Sequence, residues 1–263
     1  MKYSHSMLIV TLLVAGLFFL PHLISRGQTF TAPPGRHVAR EPVEWMRLWL
    51  PNVVCKPLRQ NVIGQFGPQK ILKPRSGIDR KLPQVLLIGD SITEMYYHDV
   101  VKDLKGKAYV GYFSSSLAVG DPMLPAQIAL ILENYRFNVI QFNNGMHGPG
   151  YSEQQYAKYF PQVIQTIRTY SHGAKLIWSN TTPTRMQYNF AKFSPWNKRI
   201  IARNRIADTF CRRAGIPITN LYSVLLQHPE YYAKHGAGIH ENALGQKVEA
   251  RHVADTILKV LHQ

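Results

Sequence analysis

The stretch Val85-Leu86-Leu87-Ile88-Gly89-Asp90-Ser91 decides how the rest of the chain is read. Four consecutive apolar residues, two of them β-branched, stop at a glycine and are followed by two residues that favour helix N-termini. A continuous apolar run of this length bounded by a turn is the pattern of a strand buried on both faces. Its neighbours repeat the theme. Ala108 to Gly111, Val139 to Phe142, Lys175 to Trp178 and Ile216 to Ile218 are further short strands, and longer amphipathic segments separate them.

Local signals delimit those segments. Asp121-Pro122 offers an N-cap and a first-turn proline for a helix through Glu133. Ser152-Glu153-Gln154-Gln155 is a capping box that opens a helix towards Tyr170, with Pro161 inside it predicting a kink or break. A basic helix is expected from about Trp196 to Arg213, stopping at Gly215, and Asn242 caps the last helix, which ends near His262. Five strands joined by crossover helices predict an α/β, flavodoxin-like three-layer sandwich with a five-stranded parallel sheet. In such sheets ligands sit beyond the carboxyl ends of the strands, which is where the polar clusters of this chain fall.

Working towards the N-terminus, the pattern changes. Residues 27–83 hold Pro33-Pro34-Gly35, Pro51, Pro57, Pro68 and Pro74 among many basic side chains, and read as an arm or stalk in which only Val43 to Leu50 looks helical. Lys2 and His5 precede an apolar run from Met7 to Leu20, ended by Pro21. That is the layout of a signal peptide or N-terminal membrane anchor over residues 1–26, and it places the protein outside the cytoplasm: exported, periplasmic, extracellular or membrane-anchored. The regular domain is expected over 84–263.

The 263 residues carry 31 Lys and Arg against 15 Asp and Glu, a net charge of +16. Such a surplus suits an anionic envelope surface. The densest group, Arg199, Arg203, Arg205, Arg212 and Arg213, reads as a solvated helix face. With no nucleic-acid motif beside it, no specific nucleic acid is expected. Cys55 and Cys211 are the only cysteines; a disulfide between them and a buried free Cys211 are both open. Neither has metal-ligand spacing, so no zinc site and no cofactor are expected.

Ser91 follows a strand, and His240 stands in a loop before the last helix. A serine hydroxyl becomes a useful nucleophile when a histidine takes its proton. With Gly89-Asp90-Ser91-Ile92 and Gly238-Ile239-His240-Glu241-Asn242-Ala243-Leu244-Gly245, residues 84–262 resemble the SGNH (GDSL) hydrolase superfamily. Asn143-Asn144-Gly145-Met146-His147 resembles the Asn-x-Gly-x-His variant of its polysaccharide O-acetylesterases. The Gly-x-Ser-x-Gly elbow of α/β-hydrolases is missing.

The resemblance implies an SGNH fold, ester hydrolysis without metal or cofactor, and Ser91 and His240 as the catalytic pair. It implies oxyanion donors from the Ser91 amide, Gly120 and Asn144, with Asp90 and His147 beside them; Asn143 competes with Asn144. The expected substrate is an ester-bearing small molecule or polysaccharide, O-acetylated carbohydrate above all. Acyl transfer by the same residues is open. So is a non-catalytic binding role, because Ala237 occupies the position, three before His240, where the family carries its Asp. A backbone carbonyl of the 235–238 loop or another carboxylate is then needed to orient His240. Asp121 is the leading candidate, since Glu241 should point away. Tyr96, Tyr97 and Trp196 are candidates for stacking on a sugar, with ordinary packing slightly favoured.

Overall fold

The computed structural model describes residues 46–50 and 82–263. The expected leader, most of the expected arm, and Cys55 with any pairing to Cys211 lie outside the described residues. Among those described, no helix is long and apolar enough to cross a membrane.

The chain runs through β1 (Met46–Trp49), β2 (Gln84–Gly89), α1 (Ser91–Asp103), β3 (Tyr109–Ser115), α2 (Met123–Asn134), β4 (Val139–Phe142), α3 (Glu153–Tyr170) and β5 (Lys175–Ser179). A short hairpin of β6 (Arg185–Met186) and β7 (Asn189–Phe193) follows. Then come α4 (Asn197–Arg213), β8 (Ile218–Thr219), α5 (Leu221–Leu226), a 3-10 turn at Pro229–Tyr231 and α6 (Ala243–Leu261). The main sheet has the order β1-β3-β2-β4-β5-β8. β3, β2, β4, β5 and β8 are parallel, as expected. β1 is not the helix expected over 43–50: it pairs antiparallel with β3, Met46 opposite Ser115 and Trp49 opposite Tyr112, and makes the sheet six-stranded.

Alternation along β2 builds the three layers. Leu86 and Ile88 point into a core with Leu124, Ile128, Phe160, Ile164 and Ala207, so α2, α3 and α4 cover one face. Val85 and Leu87 point into the opposite core with Tyr96, Val100, Val253 and Ile257, so α1 and α6 cover the other. Each large apolar side chain buried this way contributes about 1.5–3 kcal/mol.

Pro161 does not break α3, which runs unbroken through it. An interior proline costs about 3 kcal/mol. The buried stripe Tyr156, Phe160, Val163, Ile164 and Ile167 and a complete Ser152–Gln155 capping box oppose that penalty. Ahead of α2, Asp121 is not the N-cap: Pro122 holds that position, and no side chain caps the helix. Tyr96 and Tyr97 are core residues, 1% and 3% exposed, so of the three candidate platforms only Trp196 remains for a ligand.

Candidate active site

Ser91 is placed by the turn that ends β2. A Cβ on Gly89 would lie 2.0 Å from the Thr93 hydroxyl oxygen, so only glycine lets the strand enter α1 this closely. Asp90 caps α1, its Oδ1 accepting from the Ile92 amide at 3.0 Å. Ser91 is therefore the first helical residue, with its own amide unclaimed by any hydrogen bond among the described residues, as expected at a helix start.

His240 arrives from the other end of the sequence. The loop before α6 is pinned from both sides: the Arg185 amide donates to Gly238 O at 2.7 Å, and the Tyr232 hydroxyl donates to Pro183 O at 2.6 Å. Gly238 has φ +72°, and a Cβ there would sit 2.0 Å from Arg185 O. Asn242 caps α6 through the Leu244 and Gly245 amides. The result is a 2.9 Å contact between Ser91 Oγ and His240 Nε2. Burial, more than any charge, holds the His240 ring below its usual pKa; Asp90 raises it and His147 lowers it. The neutral, proton-accepting form thus persists to lower pH.

Ser91, His147 and His240 line one pocket of about 400 Å³, with Met146, Pro149, Trp196 and Ile239 as its apolar wall. Asp90, Gly120, Asp121 and Asn144 are not among the residues that line it; Gly120 and Asp121 lie in the loop after β3 and Asn144 in the loop after β4. The Asn144 Nδ2 donates to Leu117 O at 2.8 Å, tying the loop after β4 to the loop after β3 and leaving its second N–H over. Asn143 instead donates to Ser179 O at 2.8 Å, which makes it a fastening of the loop to β5. Gly120 packs against Tyr151, with room for no Cβ.

Asp121 does not orient His240. Both its oxygens are occupied within the loop framework, Oδ2 by the Ala118 amide at 2.7 Å and Oδ1 by the Tyr151 hydroxyl at 2.7 Å. Among the described residues the His240 ring hydrogen-bonds only Ser91. Ala237 is exposed and left-handed, with φ +54°, so nothing at that position replaces the missing Asp.

Two features were not foreseen. Arg203, read as part of a solvated face, is 1% exposed. Its guanidinium donates to Gly145 O (2.9 Å), His147 O (2.6 Å), Gly148 O (2.8 Å) and Tyr151 O (3.1 Å), gathering the loop that carries Asn144 and His147. Burial, then the like charge of Arg199, lowers its pKa.

The second is a pair of wholly buried carboxyl groups, Glu241, with Thr182 beside it, and Glu249. Burial pushes Glu241 up to about 8, and burial plus the Glu241 charge pushes Glu249 well up. A carboxyl group raised on folding contributes stability that is full below its unfolded pKa, near 4.5, and lost as pH rises towards 8. Glu241→Gln is therefore expected to be more stable than the native chain at pH 7, on the order of 3 kcal/mol. Urea denaturation at pH 5 and pH 8 checks this; an unchanged loss of stability between the two would contradict it.

No protein-family model and no curated protein sequence matches the chain. Solved structures do. A carbohydrate esterase family 3 protein from Talaromyces cellulolyticus is 16% identical, with 69% of this chain and 99% of that one covered and a TM-score of 0.55. An acetylxylan esterase from Geobacillus stearothermophilus is 13% identical over 66% and 94% of the two chains, TM-score 0.52. A GDSL-like lipase from Bacteroides thetaiotaomicron is 15% identical over 67% and 88%, TM-score 0.53. The fold of this chain is the SGNH hydrolase fold.

Proposed function

We propose that this chain hydrolyses an ester, with an O-acetyl group on a carbohydrate as its substrate. The reading is carried by the 2.9 Å contact between Ser91 Oγ and His240 Nε2 in a pocket at the carboxyl end of the sheet. Ser91 Oγ attacks the acyl carbon while His240 Nε2 takes its proton. The Ser91 amide, the Gly120 amide and the remaining Asn144 N–H receive the oxyanion, each such donor contributing roughly 3–4 kcal/mol. His240 returns the proton to the departing alcohol, and water then releases the acyl group by the same route. No metal or cofactor takes part.

The sugar is supported by Trp196 in the pocket wall and by two neighbours of this fold that are an acetylxylan esterase and a carbohydrate esterase. Export and an anionic envelope surface complete the proposal, resting on the Met7–Leu20 run and the +16 charge. Acyl transfer to a sugar hydroxyl is a second reading, favoured by the apolar wall of Met146, Pro149, Trp196 and Ile239, which discourages water. A non-catalytic binding role draws on Ala237 alone.

Turnover of p-nitrophenyl acetate by the full chain, and loss of that turnover in Ser91→Ala, tests the proposal; equal rates would sink it. Ala237→Asp is expected to raise kcat by roughly tenfold, by giving the imidazole a hydrogen-bonded carboxylate. The left-handed backbone at 237 suits Asp better than Ala. An unchanged kcat would mean that the histidine lacks nothing.

A further inference from the structure

When His240 takes the Ser91 proton it becomes a cation in a half-buried site, and that charge needs an anion near it. Position 237 offers none, and Asp121 is engaged elsewhere. Asp90 is 2% exposed and adjacent in sequence to Ser91. One of its oxygens caps α1; the other, Oδ2, has no hydrogen bond and lies 3.9 Å from His147 Nε2.

We infer that Asp90 is the carboxylate that compensates the charge of His240, the duty left vacant at position 237, while its second oxygen holds the helix cap. It acts through space and touches neither substrate nor the transferred proton, so it is a positioning residue. The groups near enough to feel its charge are Tyr96 on α1, His147 in the loop after β4, His240 and Glu241 in the loop before α6, and Glu249 within α6. Burial raises the two glutamates and favours their neutral forms, which leaves the Asp90 charge as the one directed at the histidines. The same charge acts on His240 in the direction this role requires, upwards.

Asparagine caps helices as well as aspartate does, so Asp90→Asn removes the charge and keeps the cap. In the full chain, the NMR titration midpoint of the His240 imidazole is expected to move to lower pH in Asp90→Asn. The kcat on p-nitrophenyl acetate should fall about tenfold, with its acid limb moving the same way. Adding Ala237→Asp to Asp90→Asn should bring the midpoint back up. Asp90→Ser, another uncharged cap, covers the case in which Asn is not tolerated. An unmoved His240 midpoint in a folded Asp90→Asn or Asp90→Ser protein overturns the inference and leaves Asp90 as a cap only. The inference concerns the proposed ester-hydrolysing site, yet the titration separates the two claims. A moved midpoint without turnover sustains Asp90 and removes the esterase reading; turnover with an unmoved midpoint does the reverse.

Discussion

Replacing Ser91 with Ala should lower kcat on p-nitrophenyl acetate at least 1,000-fold, by roughly 4 kcal/mol in the barrier. The size follows from the pocket. Among its lining residues Ser91 is the sole hydroxyl, and Met146, His147, Pro149, Trp196, Ile239 and His240 offer no second oxygen nucleophile. Complete Ser–His–Asp sites lose more, near a millionfold, when the serine goes. Here the native rate is expected to start lower, since Ala237 supplies no partner, so less can be lost. In the proposed mechanism Ser91 and His240 act as one unit, joined by a single contact. His240→Ala should therefore match Ser91→Ala, and the double variant should be no slower than either. Additive losses in kcat would show that the two residues work independently.

The second large effect is expected at Arg203. Arg203→Met keeps the apolar stem and removes the guanidinium, leaving the carbonyls of Gly145, His147, Gly148 and Tyr151 without this donor. Breaking a buried charged network costs about 3–5 kcal/mol, or about 10 °C in Tm for a domain of this size. Arg203→Lys should rescue little, since one ammonium has three donors and no planar fork with which to span four acceptors. Activity should fall further than stability, because the same carbonyls set the path of the loop bearing Asn144 and His147. A Tm within 2 °C of native by calorimetry would contradict the assignment.

The two residues thus define how far local pattern carries. Ser91 was readable because a buried strand, a glycine turn and a helix start coincide within seven residues, and His240 because a loop and a capping Asn coincide within three. Both signals are local. Arg203 sits on a helix whose spacing alone makes an arginine look solvated, and only the loop wrapped around it makes it interior. Glu241 and Glu249 were hidden for the same reason, since burial of a carboxyl group is a tertiary fact with no short-range signature. Asp121 was readable as polar and well placed in order, but which hydrogen bonds a loop carboxylate makes depends on the fold around it, here Ala118 and Tyr151. Met46–Trp49 misled in the opposite sense. The eight residues Val43 to Leu50 carry too little period to separate helix from strand, and pairing of Met46–Trp49 with β3 decides the matter.

That pairing has a consequence for solubility. A sheet edge presents unpaired amides and carbonyls that invite another chain to join it. At one border the last strand, Ile218–Thr219, is only two residues long and offers little to join. At the other, seven-residue β3 would be a long and largely apolar template, and Met46–Trp49 lies against it in the antiparallel sense. Four residues from a stretch that looked like a mere tether thus cover more than half of that template. Counted by what its sheet holds, the domain starts well before the first strand of the parallel part.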